Sequence, residues 1–177
     1  YASPHLIWSP NGPGYEPPSM GLRRILRMID EARHSLRVYA LLLDYRVFVD
    51  RLIAAAKRGV DVRIVTNRDP AALTFGQVRQ LDTAGVRLAF DPTLGGQSLF
   101  VHTKALIRDA GTAHALAFVG SQNSGDEVSM QSERELGILL ADRRVLQRMA
   151  RTFDADWSTA TPLAHDGGQA VDPYRRS

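Results

Sequence analysis

The sequence predicts an α/β fold, because segments with a helical repeat of apolar residues alternate with short apolar runs typical of strands. The clearest helical repeat is Leu22, Ile25, Leu26 and Ile29, which fall at i, i+3, i+4 and i+7 and therefore share one face. The apolar run at 36–43 that follows is long enough for a buried strand. Strands that alternate with helices are typical of βαβ units, so we expect a largely parallel sheet.

The other elements follow the same alternation. A short edge strand is predicted at Leu6–Trp8, inside a Pro- and Gly-rich segment at 1–20. In chain order, the later patterns predict a helix at 47–57 closed by Gly59, a strand at 60–66, a helix at 75–84, a strand at 86–90, a Gly- and Pro-containing loop at 91–98, strands at 100–107, 115–119 and 135–140, and a last helix ending near Trp157.

Composition sets limits on the class of protein. The chain has 177 residues, the length of one domain with a hydrophobic core. It contains no cysteine, which excludes disulfides and thiolate chemistry, and its net charge of +3 is compatible with anionic substrates. No apolar run approaches the ~18 residues of a membrane span. The first residue is Tyr, from which we expect a processed or excised chain. The sequence does not determine its cellular compartment.

The candidate chemistry lies in and after a hairpin predicted at 100–119. Side chains alternate along a strand, so His102 and Lys104 are expected on one face. An antiparallel partner strand would bring Ser121 and Asn123 close to them. An imidazole, an ammonium and two small hydrogen-bonding side chains suit a phosphate.

Lys104 adds weight to this interpretation. Only two of the 22 cationic side chains are lysines, the other being Lys57. Lysine is a compact point charge with freely rotating donors, whereas arginine is a planar fork. The alternative is an ordinary histidine next to a solvated lysine.

The neighbouring residues decide between the two interpretations. His102-x-Lys104-x4-Asp109, then Gly-Ser-x-Asn at 120–123, then Glu-Arg-Glu-Leu-Gly at 133–137 resemble the signature of the phospholipase D superfamily. The resemblance extends over roughly 6–157. It implies a phospholipase D-like sandwich, with a mostly parallel mixed β-sheet flanked by helices on both faces. The catalytic domain would cover 1–157 with a single copy of the motif, and 158–177 would be a flexible tail or linker.

The resemblance also implies a mechanism without a metal or another cofactor. His102 would attack phosphorus and form a phosphohistidine. Lys104 and Asn123 would hold the non-bridging oxygens, with help from the hydroxyl of Ser121.

Three acidic residues have expected places around this centre. Glu135 would accept a hydrogen bond from the other ring nitrogen of His102, although Glu133 competes for that assignment. Asp109 lies an odd number of residues from His102 and is expected to be structural, near the turn. The remaining histidines, among them His34 and His114, match no motif.

The leaving oxygen needs a second histidine, which this superfamily takes from a second copy of the motif. Either two chains pair, or the chain is one half of a two-motif protein. The start at Tyr1 and the segment at 133–137 favour the second option.

The substrate follows less directly. A phospholipid is the first candidate, by hydrolysis or by headgroup transfer as in cardiolipin synthesis, because Leu94, Leu99 and Phe100 could form an apolar rim. A metal-independent nuclease is the second, although an aromatic-lined basic groove is not evident. A catalytically silent pairing module is the third, and the intact motif argues against it.

Overall fold

A computed structural model describes residues 6–10 and 20–175, and its main feature is an eight-stranded sheet. The helices are α1 (Met20–Asp30), α2 (Arg46–Lys57), α3 (Phe75–Thr83), α4 (Glu127–Gln131) and α5 (Arg143–Thr159). The strands are β1 (Leu6–Ser9), β2 (Ser35–Tyr39), β3 (Asp61–Thr66), β4 (Arg87–Phe90), β5 (Thr93–Leu94), β6 (Gln97–Ser98), β7 (Ala105–Arg108), β8 (Leu116–Gly120), β9 (Glu135–Leu140), β10 (Thr161–Pro162), β11 (His165–Asp166) and β12 (Gln169–Ala170).

The strand order of the sheet is β1-β9-β8-β7-β2-β3-β4-β10. Strands β2, β3 and β4 pair in parallel, and every other neighbouring pair in this sheet is antiparallel. The prediction of a mostly parallel sheet is therefore wrong. Only α2 and α3 act as crossovers between parallel strands, whereas β7, β8 and β9 are joined by short connections that reverse the chain.

The predicted fold class, with helices on both faces of a mixed sheet, is confirmed. Neighbouring residues of β3, β7 and β8 enter different cores, as Leu106 and Ile107 of β7 show. The larger core lies against α1, α2 and α3, and the smaller one lies against α5 through Leu146 and Phe153. The main sheet is thus the middle layer of a sandwich.

Local sequence signals place the helices. The predicted stripe of α1 is buried, with Leu22, Ile25 and Ile29 each 0% exposed. Helix α3 starts at a capping box in which Thr74 and Gln77 bond reciprocally. None of the described helices combines the length and hydropathy that a membrane span requires.

The segment after α5 departs from the prediction. Strand β10 extends the sheet beside β4, and the amide of Leu163 donates to the carbonyl of Leu88 at 3.0 Å. Leu163 is buried, and the Tyr174 hydroxyl bonds the Leu73 carbonyl. The prediction of a flexible tail is therefore wrong for 160–175, because apolar side chains in this polar-looking segment pack on the domain. The predicted Pro- and Gly-rich loop lies largely outside the described residues.

Candidate active site

His102 and Lys104 lie in a segment that leads into β7 rather than within the strand, which begins at Ala105. The strand alternation invoked for them does not apply there, yet the two side chains meet. Lys104 Nζ is 3.0 Å from His102 Nε2 and 2.9 Å from the His102 carbonyl oxygen. Upstream, the side chain of Asn67 fixes the segment through two bonds with the main chain of Val101, at 2.7 and 3.0 Å.

This contact bears on the tautomer of the imidazole. An ammonium can only donate, so Nε2 of His102 accepts and the ring proton belongs on Nδ1. Burial lowers the pKa of Lys104, and the nearby carboxylate of Glu135 acts in the opposite direction. Glu135 therefore favours the charged form of Lys104.

Glu135 lies at the start of β9 and has a different partner from the one expected. Its Oε1 accepts a hydrogen bond from Ser129 Oγ at 3.0 Å, and no bond between Glu135 and His102 occurs in the described part of the chain. The same hydroxyl accepts from the amide of Asn123 at 2.9 Å. Ser129 thus links two predicted site residues. Glu133, the competing assignment, is exposed.

Ser121 and Asn123 follow β8, where the chain turns towards α4. The Ser121 amide donates to the Leu136 carbonyl at 3.1 Å, and the Leu136 amide donates to Ser121 Oγ at 3.2 Å. These bonds fix Ser121 against β9. Asn123 Oδ1 is buried and has no hydrogen-bond partner among the residues that the structure describes. An unpaired buried acceptor next to a candidate phosphate site is typical of a group held for function.

Gly120 and Gly137 face each other in the β8–β9 pair, and the space beside them is filled by Gln122. A Cβ on Gly120 would overlap Gln122 Oε1 and lie 2.8 Å from Gly137 Cα. Gln122 is fully buried and donates to the carbonyl of Ile7 at 3.0 Å. The glycine of Gly-Ser-x-Asn therefore lets the loop approach β9 closely.

Asp109 is buried at the far end of β7 and is not brought to His102. Its carboxylate accepts the amides of Arg33, His34 and Ser35 at 2.7 to 3.2 Å. Burial alone would raise the pKa of Asp109, but these three hydrogen bonds outweigh it and lower the pKa. The carboxylate joins the turn after β7 to the start of β2.

Sequence reasoning missed three supporting residues, Asn67, Gln122 and Ser129. Each is a polar side chain that the fold buries, and single-sequence patterns do not reveal which polar residues become buried. Helix α4, which carries Ser129, was also missed because five residues are too few for a helical repeat. Within 6–10 and 20–175, no group of three or more His, Cys, Asp or Glu side chains is arranged to hold a metal ion.

Comparisons with known proteins agree on the family. A family described as "Cardiolipin synthase, PLD-like domain" matches residues 25–157. The mitochondrial cardiolipin hydrolase of Xenopus tropicalis is 26% identical over 143 residues, which are 81% of this chain and 64% of that protein. The mouse (Mus musculus) mitochondrial cardiolipin hydrolase is 27% identical over 161 residues, 88% of this chain and 69% of that protein.

Among solved structures, the phospholipase D family member Nuc from Salmonella typhimurium superimposes with a TM-score of 0.73 at 21% identity. The match covers 90% of this chain and 97% of the Nuc chain, so one domain of this kind makes up almost all of Nuc. The motif, the sheet order and the family match over 25–157 lead to one conclusion. The chain belongs to the phospholipase D superfamily, in the family of cardiolipin synthase PLD-like domains.

Proposed function

We propose that this domain is a phosphodiesterase of phospholipase D type in which His102 is the nucleophile. The observation that carries the proposal is the 3.0 Å contact between Lys104 Nζ and His102 Nε2, which puts a cation beside a nucleophilic atom. Nε2 attacks phosphorus, the bond from phosphorus to the leaving oxygen breaks, and that oxygen takes a proton from an acid. Water then attacks the phosphohistidine, breaks the N–P bond and releases the phosphomonoester.

Lys104 has two positions in this scheme. In the free site its ammonium donates to Nε2 and keeps the lone pair of His102 occupied. A bound phosphate draws the ammonium to a non-bridging oxygen, because a hydrogen bond between two oppositely charged groups is stronger than one from the ammonium to a neutral imidazole. This move frees Nε2 for attack, and the side-chain NH2 group of Asn123 donates to the same oxygens.

The lead substrate is a phospholipid, cleaved by hydrolysis or by headgroup transfer. Leu94 and Phe100 are 72% and 70% exposed, and the Phe100 ring lies beside the His102 ring with 6.2 Å between centroids. An apolar rim next to a phosphate site suits an amphiphile. The names of the relatives, mitochondrial cardiolipin hydrolases, point to the same class.

A nuclease is the second candidate, and one surface favours it. Arg144, Arg148 and Arg151 share the outer face of α5, are exposed, and form no salt bridge within 6–10 and 20–175. Phosphate backbones bind to such stripes mainly through charge. The third candidate, a silent pairing module, is disfavoured because the contact between His102 and Lys104 is intact.

We further propose that a second copy of this chain supplies the acid. One side of the β1–β9 pair is apolar and exposed, with Leu6, Trp8, Leu136 and Ile138 between 36% and 43% exposed. We call these four residues the β1–β9 face. Leu136 bonds Ser121 through its main chain, so the face adjoins the site. A two-fold contact there would bring two His102 side chains towards one phosphate. The missing half of a two-motif protein is the alternative occupant.

A panel assay tests the activity. The purified chain and its His102→Asn variant are incubated with bis(p-nitrophenyl) phosphate, cardiolipin vesicles and plasmid DNA, each with and without EDTA. We expect vesicle and bis(p-nitrophenyl) phosphate turnover that survives EDTA and is absent from the variant. Equal turnover by the variant would contradict the role of His102 as nucleophile. Loss of turnover on adding EDTA, with recovery on adding a divalent ion, would contradict the metal-free mechanism. Turnover of plasmid DNA alone would select the nuclease.

A further inference from the structure

A short hairpin rises immediately before the nucleophile. Strands β5 and β6 pair antiparallel, and Gly95 and Gly96 connect them with φ of 59° and 81°. Positive φ at both central residues is the requirement of the tight turn that matches strand twist, and glycine meets it without strain. We call residues 92–100 the arm, and its tip carries Leu94.

The base of the arm is fixed. The Leu99 amide donates to the Pro92 carbonyl at 2.8 Å, and the Thr93 amide donates to Thr159 Oγ1 at the end of α5 at 3.1 Å. Directly after the arm, the buried side chain of Asn67 bonds the main chain of Val101. The arm is therefore held at both ends, and its position relative to His102 is set by the fold.

The arm presents two bare apolar side chains. Leu94 and Phe100, 72% and 70% exposed, are more exposed than any other large hydrophobic residue in the described ranges. Exposed apolar groups of this size cost solvation free energy unless something covers them. The Phe100 ring is nearly parallel to the His102 ring, at 23°, so the apolar surface reaches the nucleophile itself.

We propose that the arm inserts Leu94 and Phe100 into the acyl region of a lipid bilayer and thereby holds His102 at the depth of the lipid phosphates. This inference rests on the proposed phosphodiesterase function and names the physical state of its substrate. A bilayer fits the arrangement because its phosphates lie directly outside its hydrocarbon layer. A protein partner seated on the same side chains would cover His102. The net charge of +3 adds attraction to an anionic surface.

The insertion involves few side chains, so binding is weak and reversible, as expected for a shallow interfacial contact. Diesters in water need no arm, whereas diesters in vesicles do. The arm therefore sets the ratio of vesicle turnover to soluble-diester turnover.

A fluorescent label tests the insertion directly. The chain has no cysteine, so Leu94→Cys provides a single attachment site for the environment-sensitive dye NBD. Val171→Cys, at a residue 39% exposed after β12, is the matched control. With vesicles of phosphatidylcholine and cardiolipin, we expect a blue shift of the dye emission at position 94 and none at 171. No shift at 94, equal shifts at both positions, or a shift at 94 with single-stranded DNA instead of vesicles would overturn the proposal.

Kinetics provide a second, independent test. We expect Leu94→Ser to lower the ratio of cardiolipin-vesicle turnover to bis(p-nitrophenyl) phosphate turnover by roughly tenfold, since an apolar side chain no longer enters the bilayer. Val171→Ser should leave the ratio unchanged. An unchanged ratio in Leu94→Ser would contradict the proposal that the arm inserts into the bilayer. If the wild-type chain turns over neither substrate, the proposed function fails, and the label still decides whether the arm inserts.

Discussion

The ammonium of Lys104 donates to His102 Nε2 in the free site, and a bound phosphate oxygen would compete with Nε2 for that donor. At the scale of single residues, Lys104→Arg tests this competition. The guanidinium keeps the charge but is a planar fork that does not reproduce a point donor at both positions. We expect turnover to fall by about a hundredfold, the effect of removing one preorganised donor. Lys57→Arg, at the other lysine, is the control, and near-normal activity of Lys104→Arg would contradict the phosphate role.

Glu135 acts on Lys104 through its charge. Because this carboxylate raises the pKa of Lys104, Glu135→Gln lowers that pKa further. The ammonium is then lost at lower pH, so the alkaline limb of the pH–rate profile should move to lower pH while the thermal midpoint changes little. Glu133→Gln is the matched variant. If the alkaline limb shifts in Glu133→Gln and not in Glu135→Gln, the role belongs to Glu133 instead of Glu135.

Asp109 predicts a dependence of stability on pH. Its pKa is lowered in the folded protein, so its stabilisation is complete above the unfolded pKa of ~3.9 and disappears as pH falls through the folded pKa. Asp109→Asn keeps the shape and tolerates the φ of 49°, but loses the charge-assisted bonds. We expect a loss of about 2 to 4 kcal/mol at neutral pH by urea unfolding. A difference that persists unchanged below pH ~2 would contradict this reasoning.

At the scale of elements, periodicity predicted the four longer helices, α1, α2, α3 and α5, because such a helix buries one continuous stripe, as α1 does. The parallel pairing was overestimated, because the same apolar run suits a strand in either direction. The segment after α5 was misjudged for a related reason, since Leu163 is held by a residue distant in the chain, its amide donating to the carbonyl of Leu88. Long-range contacts of this kind leave no local pattern.

In the candidate site, too, local patterns were predictable and long-range contacts were not. The motif identified His102, Lys104, Ser121 and Asn123, because their spacing is local. The link through Ser129 was not predictable, since it depends on how α4, in the connection from β8 to β9, packs against the site. Sequence reasoning therefore selected the candidate site residues and missed the buried side chains that hold them in place.

The close approach of β8 and β9 predicts a position-specific effect of added methyl groups. Gly120→Ala should destabilise the domain by about 2 kcal/mol or more, because the new Cβ collides with buried groups on both strands. Gly76→Ala, in α3, has its nearest neighbour at 3.9 Å and should be neutral or stabilising. Thermal unfolding of both variants compares them directly, and a harmless Gly120→Ala would show that Gln122 can move aside.

At the scale of the whole molecule, the β1–β9 face predicts self-association. Sedimentation equilibrium should give a mass above that of one 19.6 kDa chain, and activity per chain should rise with concentration. Ile138→Glu places a charge on the face and should yield an inactive monomer, whereas Val171→Glu should behave like the wild type. A strictly monomeric chain with full turnover would show that the acid comes from within the chain.

The nucleophilic role of His102 is the central claim, and a trapped intermediate tests it most directly. The wild-type chain is mixed with bis(p-nitrophenyl) phosphate, quenched with alkali, which preserves phosphohistidine, and digested for mass spectrometry. The mechanism predicts a burst of p-nitrophenolate and one nitrophenyl-phosphoryl adduct on the peptide containing His102, both absent in His102→Asn. Sustained turnover with no adduct and no burst at any quench time, or an adduct on another residue, would contradict it.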